Sequence, residues 1–153
     1  MIIIGYQGIG KSTLAGKNNC IDLESGNFWV DGKRADDWYI PYCQIANHLS
    51  EQGYTVFVSS HEVVRNELKK SDQKVYVVCP HLYLKDEWIT KLKERYEATG
   101  LEKDFKAWKN AEDRYDENIK EILGSGFDSY CIHNMNYELE DIIEYLRNFR
   151  KIL

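Results

Sequence analysis

The chain has 153 residues, 43% of them hydrophobic and 13% aromatic, enough for one packed domain and too few for two independent cores. Twenty basic against twenty-five acidic residues give a net charge of -5, which argues against a dedicated nucleic-acid surface or an anionic membrane partner and confines any anion site to a local cluster. No apolar run approaches the ~18 residues of a membrane span, and Cys20, Cys43, Cys79 and Cys131 form no CxxC pair, so a soluble cytoplasmic protein with reduced core thiols is expected.

The first predicted element is a strand, Ile2 to Ile4, apolar at consecutive positions as suits a sheet covered on both faces. It runs into Gly5-Tyr6-Gln7-Gly8-Ile9-Gly10-Lys11-Ser12-Thr13, and a helix of about two turns is expected before the next strand, Cys20 to Leu23. A polar loop follows, with Asp31, Lys33, Arg34, Asp36 and Asp37 bracketed by Phe28, Trp29 and Trp38. Trp38, Tyr42, Ile45, Ala46 and Leu49 share one helical face, and Gly53 is its expected terminator. The third strand is Tyr54 to Val58, and Ser59-Ser60-His61-Glu62 has the form of a capping box opening a helix to about Lys70.

After a fourth strand, Val75 to Cys79, the alternation breaks. Trp88, Ile89, Leu92 and Tyr96 define a helix ended by Gly100, and Phe105, Trp108, Tyr115, Ile119 and Ile122 define another, with no strand between them. The fifth strand, Tyr130 to Ile132, and a helix through Leu139, Ile142, Ile143, Leu146 and Phe149 complete the chain. Strands alternating with helices predict an α/β fold with a five-stranded, mainly parallel sheet. The extra helices, an insertion at about 81–125, would stand over the carboxyl ends of the strands, where a lid is useful.

The glycine turn carries the chemistry. Gly5, Gly8 and Gly10 let successive N–H groups point into one concavity, and a helix start adds its positive end, so phosphate oxygens can take the unpaired donors. The pattern G-x-x-x-x-G-K-[ST] after a strand resembles the Walker A motif of P-loop nucleoside triphosphatases and kinases. That resemblance implies a three-layer P-loop fold in one domain spanning 1–153, binding ATP and Mg²⁺. Backbone around Gly5, Gln7, Gly8, Ile9 and Gly10, with Thr13 beside it, would hold the nucleotide. Lys11 would reach the β- and γ-phosphates and Ser12 would ligate the metal.

The small chain, its helical insertion and the lack of an N-K-x-D guanine motif resemble small-molecule and nucleoside monophosphate kinases. Asp22, at the carboxyl end of the second strand, could hold metal-bound water or accept the acceptor's proton. The stretch IDLESGNFWVDGKRADDW is similar to an acceptor-binding segment of gluconate and shikimate kinases, and VFVSSHEVVRNELKK to the strand and helix that follow it in gluconate kinases. On the acceptor side Arg34 could pair with a phosphate or lie in a solvated loop, and Arg65 could face the site or solvent.

Among the insertion's mixed charges, Arg95 and then Lys91 are the candidate catalytic cations, in a K-L-x-x-R spacing similar to gluconate-kinase lids; the other reading is a solvated, ion-paired helix face. His61 and His81 are expected at a pocket rim, and His133 and Asn134 near the base pocket. The resulting expectation is an ATP-dependent phosphotransferase on a small-molecule acceptor, nucleoside or nucleotide ahead of sugar acid. The alternative is a nucleotide-binding regulatory NTPase, favoured by the missing aspartate after the third strand. Neither reading fixes an oligomeric state.

Overall fold

Three consecutive isoleucines cannot alternate between core and water, and Ile2, Ile3 and Ile4 are all fully buried. The reason is position. In the computed structural model, which describes residues 1–152, β1 (Ile2–Gly5) is the middle strand of a five-stranded sheet in the order β2-β3-β1-β4-β5. The others are β2 (Cys20–Asp22), β3 (Thr55–Val58), β4 (Val75–Pro80) and β5 (Asp128–Ile132), and every pairing is parallel.

The helices are α1 (Lys11–Leu14), α2 (Tyr39–Glu51), α3 (Glu62–Leu68), α4 (Lys85–Thr99), α5 (Glu102–Leu123) and α6 (Leu139–Ile152). The step from β1 to β2 runs one way along the sheet and every later step runs the other way, so right-handed crossovers place α1 opposite α2 and α3. Packing agrees: α1 touches α6, while α2 packs on α3, β3 and β1, and α5 packs on β4. The sheet is thus covered on both faces, as the unbroken burial of β1, β3 and β4 requires. All four cysteines lie in strands or α2 and are free. Among the described residues, no helix is long and apolar enough to cross a membrane.

Two local expectations are corrected. The helix after the glycine turn is a single turn, Lys11–Leu14, because the chain turns at Gly16 (φ 79°) to enter β2. The capping box does not form: His61, in extended conformation, is the residue before α3 and makes no side-chain cap bond, while Ser59 Oγ instead meets His61 Nδ1 at 2.8 Å. Gly53 (φ 97°) and Gly100 (φ 66°) do end their helices in the left-handed region. The two successive helices between β4 and β5 are present, and α5 bends at Arg114, whose φ of −138° and ψ of 21° leave the helical region.

Candidate functional site

The turn between β1 and α1 is held from outside. Trp88 Nε1 donates to the carbonyl of Gln7 (2.9 Å), and Tyr137 Oη donates to that of Ile9 (2.9 Å). A trans peptide turns its N–H away from its carbonyl, so the Gly8 and Gly10 amides point away from Trp88 and Tyr137, and no hydrogen bond among the described residues takes the N–H of Gly8, Gly10, Lys11 or Ser12. Unpaired amides at a helix start are donors that an anion could take. Gly8 (φ 88°) is required twice over, because a Cβ there would also lie 2.9 Å from Leu92 Cδ2 and 3.1 Å from Trp88 Nε1.

The outer clamp is an aromatic and cationic stack. Trp88 on α4 and Tyr137 before α6 lie nearly parallel, with centroids 6.0 Å apart, and Lys91 Nζ sits over both rings while donating to Tyr137 Oη at 2.9 Å. Burial and the neighbouring Arg95 lower the Lys91 ammonium's pKa.

In front of the turn a cavity of about 340 Å³ brings together Lys11, Ser12, Asp22, Glu24, Ser59 and Arg95. The sheet order accounts for this, since β3 lies between β2 and β1 and their carboxyl ends open side by side. Buried Tyr42 ties two of those ends, its hydroxyl donating to Leu23 O (2.6 Å) and accepting from Ser59 N (2.9 Å). Lys11 Nζ donates to the Gly5 carbonyl at 3.2 Å, folding back over its own turn. Burial lowers its pKa; Asp22 and Glu24 oppose that shift. Asp22 is pushed above the usual carboxylate range, mainly by burial and further by Glu24, against the pull of Lys11 and Lys103.

Arg95 reaches the same cavity and is anchored there. Its Nε lies 2.9 Å from Oδ1 of buried Asp104 on α5, and Thr99 Oγ1 donates to the other oxygen of that carboxylate. Lys91, one turn earlier, goes to the back of the glycine turn, so the two candidate cations separate. Lys93 and Lys106 pair with Glu97 and Glu102 at i,i+4 on the solvated surface.

A second cavity of about 660 Å³ adjoins the first and shares Gln7, Lys11, Glu24 and Lys103 with it. Arg34 borders it with its guanidinium between two indoles, 3.8 Å from the centroid of Trp38 and 5.0 Å from that of Trp29. Arg65 also borders it, but its hydrogen bonds go to the carbonyls of Ser60 (3.0 Å) and Glu121 (3.2 Å), so it braces the wall between α3 and α5. His61 lies on the rim, and burial with Arg34 and Lys11 nearby lowers its pKa.

On the other flank of the turn a cavity of about 310 Å³ is lined by Gly10, Thr13, Leu14, Lys91 and Tyr137. His133 and Asn134 do not border it; they line a separate cavity beside Tyr130 and Tyr145, and His81 stacks on Tyr83 and His133 at the end of β4.

The residues missed by sequence reasoning are Trp88, Tyr137 and Asp104 in these roles. Trp88 and Tyr137 contact the turn across 81 and 128 positions of chain, and no local pattern carries such a pairing. Compared with known proteins, the chain matches no family model and no curated sequence.

Proposed function

We propose that the protein is a Mg²⁺- and ATP-dependent phosphotransferase of the P-loop kinase type, acting on a small-molecule acceptor, nucleoside or nucleotide ahead of sugar acid. The observation that carries this reading is the ring of unpaired amides at Gly8, Gly10, Lys11 and Ser12, with Lys11, Asp22 and Arg95 converging on the cavity in front of it. A triphosphate tail fits such a cradle: its oxygens would take the amide donors, and the Lys11 ammonium would leave the Gly5 carbonyl for the β- and γ-phosphates. The flanking cavity at Thr13, Lys91 and Tyr137 has room for the donor's base.

Ser12 would hold the magnesium, which keeps most of its water shell and needs few protein ligands. Bound there, the metal would supply charge neutralisation at the transferring phosphate. Asp22, whose raised pKa brings it nearer to a proton acceptor's range, would orient metal water or take the acceptor's proton. Arg95, held by Asp104, would counter charge on the phosphoryl group from the insertion side. The α4–α5 pair would act as a lid through its far end, since its base is fixed to the turn by Trp88.

The test is acceptor-dependent ADP release across nucleosides, nucleotides and sugar acids, with Lys11→Ala abolishing turnover in a folded protein; full turnover in that variant would defeat the assignment. A second reading, a regulatory NTPase without a small acceptor, is favoured by Ser59 rather than a carboxylate after β3 at the cavity edge. ADP release stimulated by a protein partner alone, and by no acceptor in the panel, would select it.

A further inference from the structure

We propose, on the phosphotransfer reading above, that the protein also phosphorylates itself on Ser59 when no acceptor is bound, with His61 taking the hydroxyl proton. Ser59 lines the cavity that holds Lys11 and Ser12, and its Oγ lies 2.8 Å from His61 Nδ1. A hydroxyl paired with an imidazole is the arrangement that turns serine into a nucleophile.

Strand register puts that hydroxyl beside the phosphate-binding ammonium. Val58, the last residue of β3, pairs with Ile4 on β1, so Ser59 follows level with Gly5. The Gly5 carbonyl is the group that Lys11 Nζ holds at 3.2 Å. Adjacent strands are about 4.8 Å apart, so a phosphoryl group drawn to Lys11 would stand within a side chain's reach of Ser59. Ser12, Ser25 and Thr99 line the same cavity. Ser12 is assigned to the metal, Thr99 donates to the Asp104 carboxylate, and Ser59 is the one paired with an imidazole among the described residues.

Both partners are held in place. The Ser59 amide donates to the hydroxyl of buried Tyr42 at 2.9 Å, and that hydroxyl donates in turn to Leu23 O beyond the end of β2. The His61 ring stands edge-on to Trp38 with centroids 5.5 Å apart, and buried Trp38 carries the Arg34 guanidinium 3.8 Å from its own centroid. Burial and the positive charges of Arg34 and Lys11 lower the His61 pKa, so its ring is mainly neutral at pH 7 and able to accept a proton. In the tautomer with its hydrogen on Nε2, Nδ1 accepts from the serine hydroxyl.

The step needs no further reactant. Ser59 Oγ bonds to the γ-phosphorus of ATP, the bond to the β,γ-bridging oxygen breaks, ADP leaves with that electron pair, and the hydroxyl proton passes to His61 Nδ1.

Incubating the full chain with Mg·ATP and no acceptor tests this. Intact mass should rise by a single phosphoryl group, peptide mapping should place it on Ser59 as an acid-stable ester, and the rate should not depend on protein concentration. Ser59→Ala, checked for folding by its melting curve, should take up no label. His61→Gln keeps a hydrogen-bonding side chain without the base and should slow labelling about a hundredfold. An unlabelled parent, label on Ser60, acid-labile label on His61, a rate that scales with protein concentration, full label in Ser59→Ala, or His61→Gln labelled as fast as the parent would each overturn the proposal. Phosphorylation of an acceptor by a protein whose Ser59 stays bare even without acceptor overturns this proposal alone; failure of the parent to bind Mg·ATP in calorimetric titration overturns it together with the donor reading.

Discussion

Replacing Tyr137 with Phe deletes one oxygen and keeps the ring that stacks on Trp88 at 6.0 Å. That oxygen accepts from Lys91 Nζ and donates to the Ile9 carbonyl, both at 2.9 Å. Ile9 is only 1% exposed, so its carbonyl has little water to turn to, whereas half-buried Lys91 can recover some solvation. The expected loss of stability is about 1–2 kcal/mol, one hydrogen bond plus part of the penalty of an unsatisfied acceptor. For a chain of this size, that lowers the melting temperature by a few degrees.

The more telling effect is on the ligand. If the outward pull on Ile9 keeps the amides facing inward, the variant must spend free energy to re-form the cradle, and Mg·ATP affinity should fall about tenfold for each ~1.4 kcal/mol. Calorimetric titration measures the affinity, and thermal unfolding with and without Mg·ATP measures both effects in one experiment. A Tyr137→Phe protein that melts lower but binds Mg·ATP as the parent does would refute the preorganisation argument and leave Tyr137 as packing alone.

Three other outcomes are expected. Gly8→Ala should lose about 2 kcal/mol or more together with Mg·ATP binding, from its φ of 88° and a Cβ 2.9 Å from Leu92 Cδ2; adding Leu92→Ala should recover only the steric part, which melting curves of both proteins would show. Arg95→Ala leaves the Asp104 carboxylate buried with Thr99 as its remaining partner and should cost about 1–3 kcal/mol, whereas Arg95→Ala with Asp104→Asn should cost less; denaturant midpoints of the two decide it. Because Asp22 must be ionised to accept a proton and its pKa is raised, the acid limb of kcat/KM should lie above the ordinary 3.8 and vanish with activity in Asp22→Asn; a pH–rate profile whose limb sits at or below that value would count against Asp22 as base.

The strands and the long helices were legible because each carries its own period: consecutive apolar residues in β1, β3 and β4, and a helical stripe in α5 through Tyr115, Ile119 and Ile122. The glycine turn was legible because unusual backbone demands unusual residues, and Gly8 and Gly10 do sit at φ 88° and 109°. Ser59 and Glu62 misled because a capping box is a local preference, and at the end of β3 the Ser59 amide is instead claimed by Tyr42. Arg95 beside Asp104 and Trp88 beside Gln7 depend on how two helices dock, a choice made by tertiary packing that no short window encodes. Arg65 borders the cavity wall rather than open solvent, with its hydrogen bonds spent on backbone carbonyls, a placement set by the docking of α3 on α5.

The strand order also bears on the sequence of events in folding. The neighbours of β1 in the sheet are β3 and β4, more than fifty residues later, and the Ile9 carbonyl waits for Tyr137, 128 residues on. Closing such long loops before any contact rewards them is slow. The isoleucine tract of β1 therefore stays an unpaired, sticky segment until β3 and β4 are in place, and the glycine turn it carries is among the last features to be completed.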